Sequence, residues 1–171
     1  MAGIAPTSPT DQYVPTVTSG SRLFVAGHDP ERDGRLVYRG RVGGAVRVRD
    51  TDAALRLATA NALASAREAA GSLERLRCVV LTAYVSTARS DAVAPGVLEE
   101  SLALVVMALP ASSRPAAWLR PAQGLAAGMA VEVELLLETV PPARRRGPVR
   151  RRGTGARAAA RTPRRSAART S

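Results

Sequence analysis

The point at which acidic residues stop limits what this chain can fold into. None follows Glu138, yet eleven of the 25 cationic residues, all arginines, fall between Arg144 and Arg169. A segment of that kind repels itself and has little apolar surface to bury, so it has no means of joining a core. The fold is therefore built before it, and Pro141-Pro142 marks the boundary. Ahead of that boundary fourteen arginines face fourteen acids, so the net charge of +11 belongs to the tail and implies no basic surface on the folded part. Residues 142–171 keep three readings: a disordered solvated extension, a non-specific nucleic-acid binder, and the product of a frame slip in a high-GC gene. Without interleaved aromatics, nothing beyond non-specific phosphate contact can be argued for the second.

Composition excludes several classes. A length of 171 residues suits one domain with a tail. The single cysteine, Cys78, rules out an internal disulfide, and the single histidine, His28, leaves no set with metal-site spacing. Residues 1–12 lack a basic start and a sustained apolar run, and no later run reaches the ~18 residues a membrane span needs. The expectation is a soluble, cytoplasmic chain with no membrane partner. Aromatics are only 3%, so Val, Leu and Ala must make the core.

Periodicity then places the elements. Residues 1–12 read as a loose lead-in and 13–141 as the domain. Tyr13–Thr18 and Arg22–Ala26 read as strands of a hairpin around Ser19-Gly20-Ser21, and Asp33-Gly34 supplies a second turn before Leu36, Val37 and Tyr38. After Asp50 or Thr51 as cap, Leu55, Ala58, Ala62, Ala66 and Ala69 recur at helical steps until Gly71. Cys78–Val85 reads as a buried strand. A second helix is carried by Leu98, Leu102, Val105 and Leu109, entered through Pro95-Gly96 and ended by Pro110. A poorly marked strand lies within 114–122. A strong one covers Met129–Val140, where Val131, Val133 and Leu135 alternate with Glu132 and Glu134. The fold class is α+β, one sheet against two helices, whose second face must be covered from outside the chain or left to solvent. The succession Leu135-Leu136-Leu137 favours an oligomer that covers it.

Several stretches, in this order and spacing, resemble the RidA (YjgF-type) family of reactive-intermediate deaminases. They are Tyr13-Val14-Pro15, Leu23-Phe24-Val25-Ala26-Gly27, Gly40-Arg41-Val42-Gly43, Asn61-Ala62-Leu63-Ala64, Gly71-Ser72-Leu73-Glu74-Arg75-Leu76 and Val131-Glu132-Val133-Glu134. The resemblance implies a chorismate-mutase-like fold, a homotrimer with small-molecule clefts between subunits, and hydrolysis of 2-imino or enamine acids to 2-keto acids and ammonia without metal or cofactor. Such chemistry needs a fixed cation for the substrate carboxylate and an acceptor that orients water.

By that resemblance Glu132 is the water-orienting carboxylate and Tyr13 and Gly27 belong to the cleft. Counting back from Glu132 by the family's spacing places the carboxylate-binding arginine at Ala117, so the cation is missing. The family's serine before the cleft glycine is Ala26 here, and an asparagine of the second helix is Glu99. Trp118, beside Ala117, reads as a cleft filler or a subunit contact. Arg114 and Arg120 flank Ala117 at three residues either side, where a regular strand turns them to its other face, unless a bulge at Pro115 or Pro121 intervenes. The expected activity is thus altered or lost, with a hydrolase using Arg114 or Arg120 as the alternative and a noncatalytic scaffold or RNA-associated protein working through its tail as a further one. Read from the residues alone, Glu132 and Glu134 would be the polar face of a half-exposed strand, His28 a surface or turn residue, and Cys78 a buried inert thiol.

Overall fold

The computed structural model describes residues 14–87, 93, 96–109 and 114–141. Tyr13, Pro95, Pro110 and the arginine-rich tail lie outside them. Strands β1 (Thr16–Ser19) and β2 (Arg22–His28) form the expected first hairpin. Strands β3 (Glu31–Arg32) and β4 (Arg35–Leu36) form a small second one around Asp33 and Gly34. Both turn residues have positive φ, 53° and 71°, the two-residue geometry for which Asp-Gly is suited. Helix α1 (Thr51–Ala70) follows Asp50 at its N-cap. The Asp50 carboxylate makes no cap bond and instead accepts from Arg47 Nε at 2.8 Å. Gly71, at φ 73°, ends the helix in the left-handed conformation. Leu55, Ala58, Ala62 and Ala66 are fully buried on one stripe as their spacing predicts, while Ala69 is exposed in the last turn.

Strand β5 (Leu76–Ser86) is longer than Cys78–Val85. Helix α2 (Glu99–Ala108) buries Leu102 and Val105, and the poorly marked segment forms strand β6 (Ala116–Ala122) before β7 (Val131–Thr139). The five long strands make one sheet in the order β1-β2-β7-β5-β6, antiparallel except for β5 beside β6. Helix α1 packs across β2 and β7 and against α2. The architecture is the α+β, chorismate-mutase-like arrangement of two helices on a mixed five-stranded sheet. Among the described residues no helix is long and apolar enough to cross a membrane.

Only one sheet face is covered by this layer. Leu23 and Val25 of β2, Leu81, Ala83 and Val85 of β5, and Val131, Val133, Leu135 and Leu137 of β7 are buried at the level of a domain core. Two bulges keep that pattern in step. One between Cys78 and Val80 lets Cys78 and Leu81, three residues apart, both be buried beneath the helices. The other, between Val25 and His28, turns both toward the helices, Val25 buried and His28 half-buried, and leaves Ala26-Gly27 as the irregular part of β2. The thiol of Cys78 is the inert one expected, its pKa pushed up to about 12 by burial.

The opposite face is open, and its rows can be read from strand register. Val17, Phe24, Leu136, Val80 and Ala116 are successive partners across all five strands. Val17 and Phe24 are 52% and 44% exposed and Val80 and Leu136 half-buried, so the described residues leave this apolar row partly open. Beside it runs Glu134-Thr82-Trp118, and beside that Glu132-Tyr84-Arg120.

Candidate functional site

Glu132 is held by the β2 bulge. Its carboxylate lies directly over Gly27: a Cβ added there would come within 1.6 Å of Glu132 Oε1, so only glycine leaves room for the side chain in this position. His28 fixes the same bulge from beneath. Its Nδ1 lies 2.7 Å from the carbonyl of Ala26 and its Nε2 2.7 Å from the Ser65 hydroxyl on α1. The carbonyl can only accept, so Nδ1 carries a proton and donates to it. His28 is therefore neither a surface nor a free turn residue. It ties β2 to α1, a role its partner 37 residues away kept out of sight in the sequence. Asn61 adds a second tie by donating to the carbonyls of Asp29 and Glu31, each at 2.9 Å.

Burial raises the pKa of the Glu132 carboxyl above the ordinary carboxylate value, and the charges of Glu134 and Asp29 raise it further. Next to it, Tyr84 donates its hydroxyl to Glu134 Oε2 at 3.2 Å. The phenol pKa is also raised, first by burial and then by Glu134. Tyr84 escapes sequence reading because it sits within an apolar run whose face is decided by the Cys78–Val80 bulge. Arg120, two strands from Glu132 in the same row, stacks its guanidinium 5.4 Å from the ring centroid of Trp118. Adjacent strands lie ~4.8 Å apart, which sets the Glu132–Arg120 backbone spacing at about 10 Å. Trp118, 54% exposed, stands on this open face.

Ala117 does not. It pairs with Leu81, which is fully buried beneath the helices, so Ala117 belongs to the helix side of the sheet, opposite to Glu132. The expectation that Arg120 and Ala117 point to opposite faces holds, but the face shared with Glu132 is that of Arg120. Spacing along the chain does not carry the parity, because β6 and β7 are read through β5 with one parallel and one antiparallel register. Ala117 instead lines a groove of about 500 Å³ between α2 and β6, together with Leu98, Glu99, Leu102, Arg114 and Leu119. There Arg114 Nη2 donates to Glu99 Oε1 at 2.5 Å. The predicted site residues thus fall into two groups on opposite sides of one sheet: Gly27, Trp118, Arg120 and Glu132 on the open face, and Glu99, Arg114 and Ala117 in the α2–β6 groove. Tyr13 lies outside the described residues. Among the described residues, no cluster of three or more His, Cys, Asp or Glu could hold a metal ion.

Comparison with known proteins gives these two groups a context. The family model described as "YjgF/chorismate_mutase-like, putative endoribonuclease" matches residues 5–127. That span includes Tyr13, Gly27, Glu99, Ala117 and Trp118 and stops before β7 and Glu132. Among solved structures, Atu1372, a protein of unknown function from Agrobacterium tumefaciens, is 26% identical over 75% of this chain and 82% of its own, with a TM-score of 0.66. RidA from the Antarctic bacterium Psychrobacter sp. PAMC 21119 shares the fold at 20% identity over 78% of this chain and 93% of its own, with a TM-score of 0.52. E. coli TdcF, solved with bound serine, does so at 18% identity over 82% and 91%, with a TM-score of 0.51. No curated protein matches the chain.

Proposed function

This chain belongs to the YjgF/chorismate mutase-like family, and on that premise we propose that it is a homotrimeric small-metabolite-binding protein whose imine and enamine hydrolase chemistry is altered or lost. One observation carries the reading. The water-orienting half is present, a Glu132 carboxylate seated over Gly27 with raised proton affinity, while the substrate-carboxylate half offers Ala117 and an Arg114 already paired with Glu99. In the full reaction a carboxylate takes a proton from water as the water oxygen bonds to the imine carbon and the nitrogen is protonated. The resulting carbinolamine then loses its hydroxyl proton to form the C=O bond as the C–N bond breaks, so that both water protons leave on ammonia and a 2-keto acid remains. An anionic imino acid brought to Glu132 without a fixed cation meets repulsion from Glu132 and Glu134 instead of orientation.

The placement of the two groups supports an assembly. Within one chain the two groups are separated by the sheet, so a cleft that uses both must take each from a different copy. The partly open apolar row from Val17 to Ala116 provides the surface on which copies would meet.

A second reading is favoured by the register: Arg120 shares the face and the row of Glu132. Among the described residues it has no carboxylate at ion-pair distance and is steadied by Trp118, so it is placed to take a substrate carboxylate. One assay separates the two. 2-Iminobutyrate is generated in situ with an amino-acid oxidase, and keto-acid release is followed with and without the protein. No acceleration is expected. Acceleration that disappears in both Glu132→Ala and Arg120→Ala would replace the first reading with the second.

A further inference from the structure

We propose that the groove between α2 and β6 takes an uncharged ligand, a primary carboxamide on a short aliphatic chain, and turns away the carboxylate of the same shape. This names the ligand class for the proposed metabolite site, and it rests on that reading only in treating the groove as a place where a ligand sits. The walls are aliphatic: Val97, Leu98, Leu102, Leu119 and the methyl of Ala117 surround a space of about 500 Å³. Such walls suit a chain of a few carbons and offer no hydrogen bond to its end.

Polar recognition is left to the mouth. Glu99 and Arg114 are the charged groups among the described lining residues, and they are engaged with each other at 2.5 Å. A carboxylate entering here finds a neutral pair and must displace Glu99 to reach the guanidinium. It also approaches the first turn of α2, where Glu99 and Glu100 offset the attraction that a helix N-terminus has for anions. An alkylammonium has the converse difficulty, since it meets Glu99 only beside the Arg114 cation. A primary carboxamide has neither. Its carbonyl accepts from guanidinium N–H groups that Glu99 does not occupy, its NH2 donates to the second oxygen of Glu99, and the ion pair remains whole.

The test uses the full chain and two probes of equal size, pentanamide and pentanoate, titrated by ligand-observed NMR at fixed ionic strength near pH 7. Pentanamide is expected to bind at least ten-fold more tightly than pentanoate. Ala117→Arg, which adds a second guanidinium to a groove whose one described lining carboxylate, Glu99, is already paired with Arg114, is expected to reverse the preference by a similar factor. Equal or tighter binding of pentanoate by the unaltered chain would overturn the charge selectivity while leaving a metabolite site in place. An unchanged ratio in Ala117→Arg would overturn the assignment of the selectivity to this groove. Failure of both probes to bind both proteins would overturn the groove as a ligand site altogether.

Discussion

Leu81, Val133, Leu135 and Leu137 lie beneath two helices and are closed to solvent; Phe24, Glu132, Glu134 and Trp118, on or beside the same strands, stand on the other side of the sheet, where none of the described helices covers them. The period of two that sorts these residues is identical on both faces. What differs is what each face must satisfy. The covered face only has to fill space, and Leu, Val and Ala do so. The open face combines an apolar row with a carboxylate pair, a phenol and a guanidinium, a mixture that a core would not accept and that the proposed interfacial site would use.

The largest effect that separates the faces is expected from Leu137→Ala. This residue is fully buried on the covered face, and truncating it leaves a cavity under α1, costing about 2–5 kcal/mol in chemical denaturation. A loss below about 1 kcal/mol would mean that the core does not lie where the burial pattern places it. Phe24→Glu, on the open face, is expected to leave the helix signal in circular dichroism intact while dissociating the assembly. Unchanged sedimentation would remove the open face from the interface. The smallest effect is expected from Glu132→Gln. The folded-state pKa of Glu132 lies above its unfolded value, so its ionisation opposes folding in full once the pH exceeds that folded value, and the opposition fades as pH falls from there to the unfolded value and is gone below it. The variant should therefore melt slightly higher than the parent at pH 7 and no differently near pH 3.5. A lower melting point at pH 7 would show that the carboxylate is stabilised by partners instead of strained by burial.

Much of the covered face was legible in the sequence. The stripe from Leu55 to Ala66, the glycine stop at Gly71 and the alternation in β7 each state a local rule that the fold obeys, as do the Asp33-Gly34 and Gly20 turns. Strand β6 was faint because it is an edge with Pro121 inside it and exposed residues along nearly its whole length, so neither alternation nor burial marked it. The open face was harder to read for a related reason. Which side of the sheet Ala117, Arg120 and Glu132 take depends on registers between strands far apart in sequence and on bulges at Cys78–Val80 and Val25–His28, none of which leaves a local pattern. Counting residues between Ala117 and Glu132 says nothing of the sheet that runs between them. The contacts of His28 with Ser65 and of Tyr84 with Glu134 are likewise products of the fold, joining residues 37 and 50 positions apart.

The central claim is that the two halves of the site, separated by the sheet in one chain, are brought together where the open face of one copy meets the α2–β6 side of the next. Sedimentation equilibrium on the full chain tests it most directly. The account predicts a species of three times the 17.9 kDa chain mass at micromolar concentration, and still three times the shortened chain's mass when residues 142–171 are removed. A single-chain mass under those conditions would contradict it.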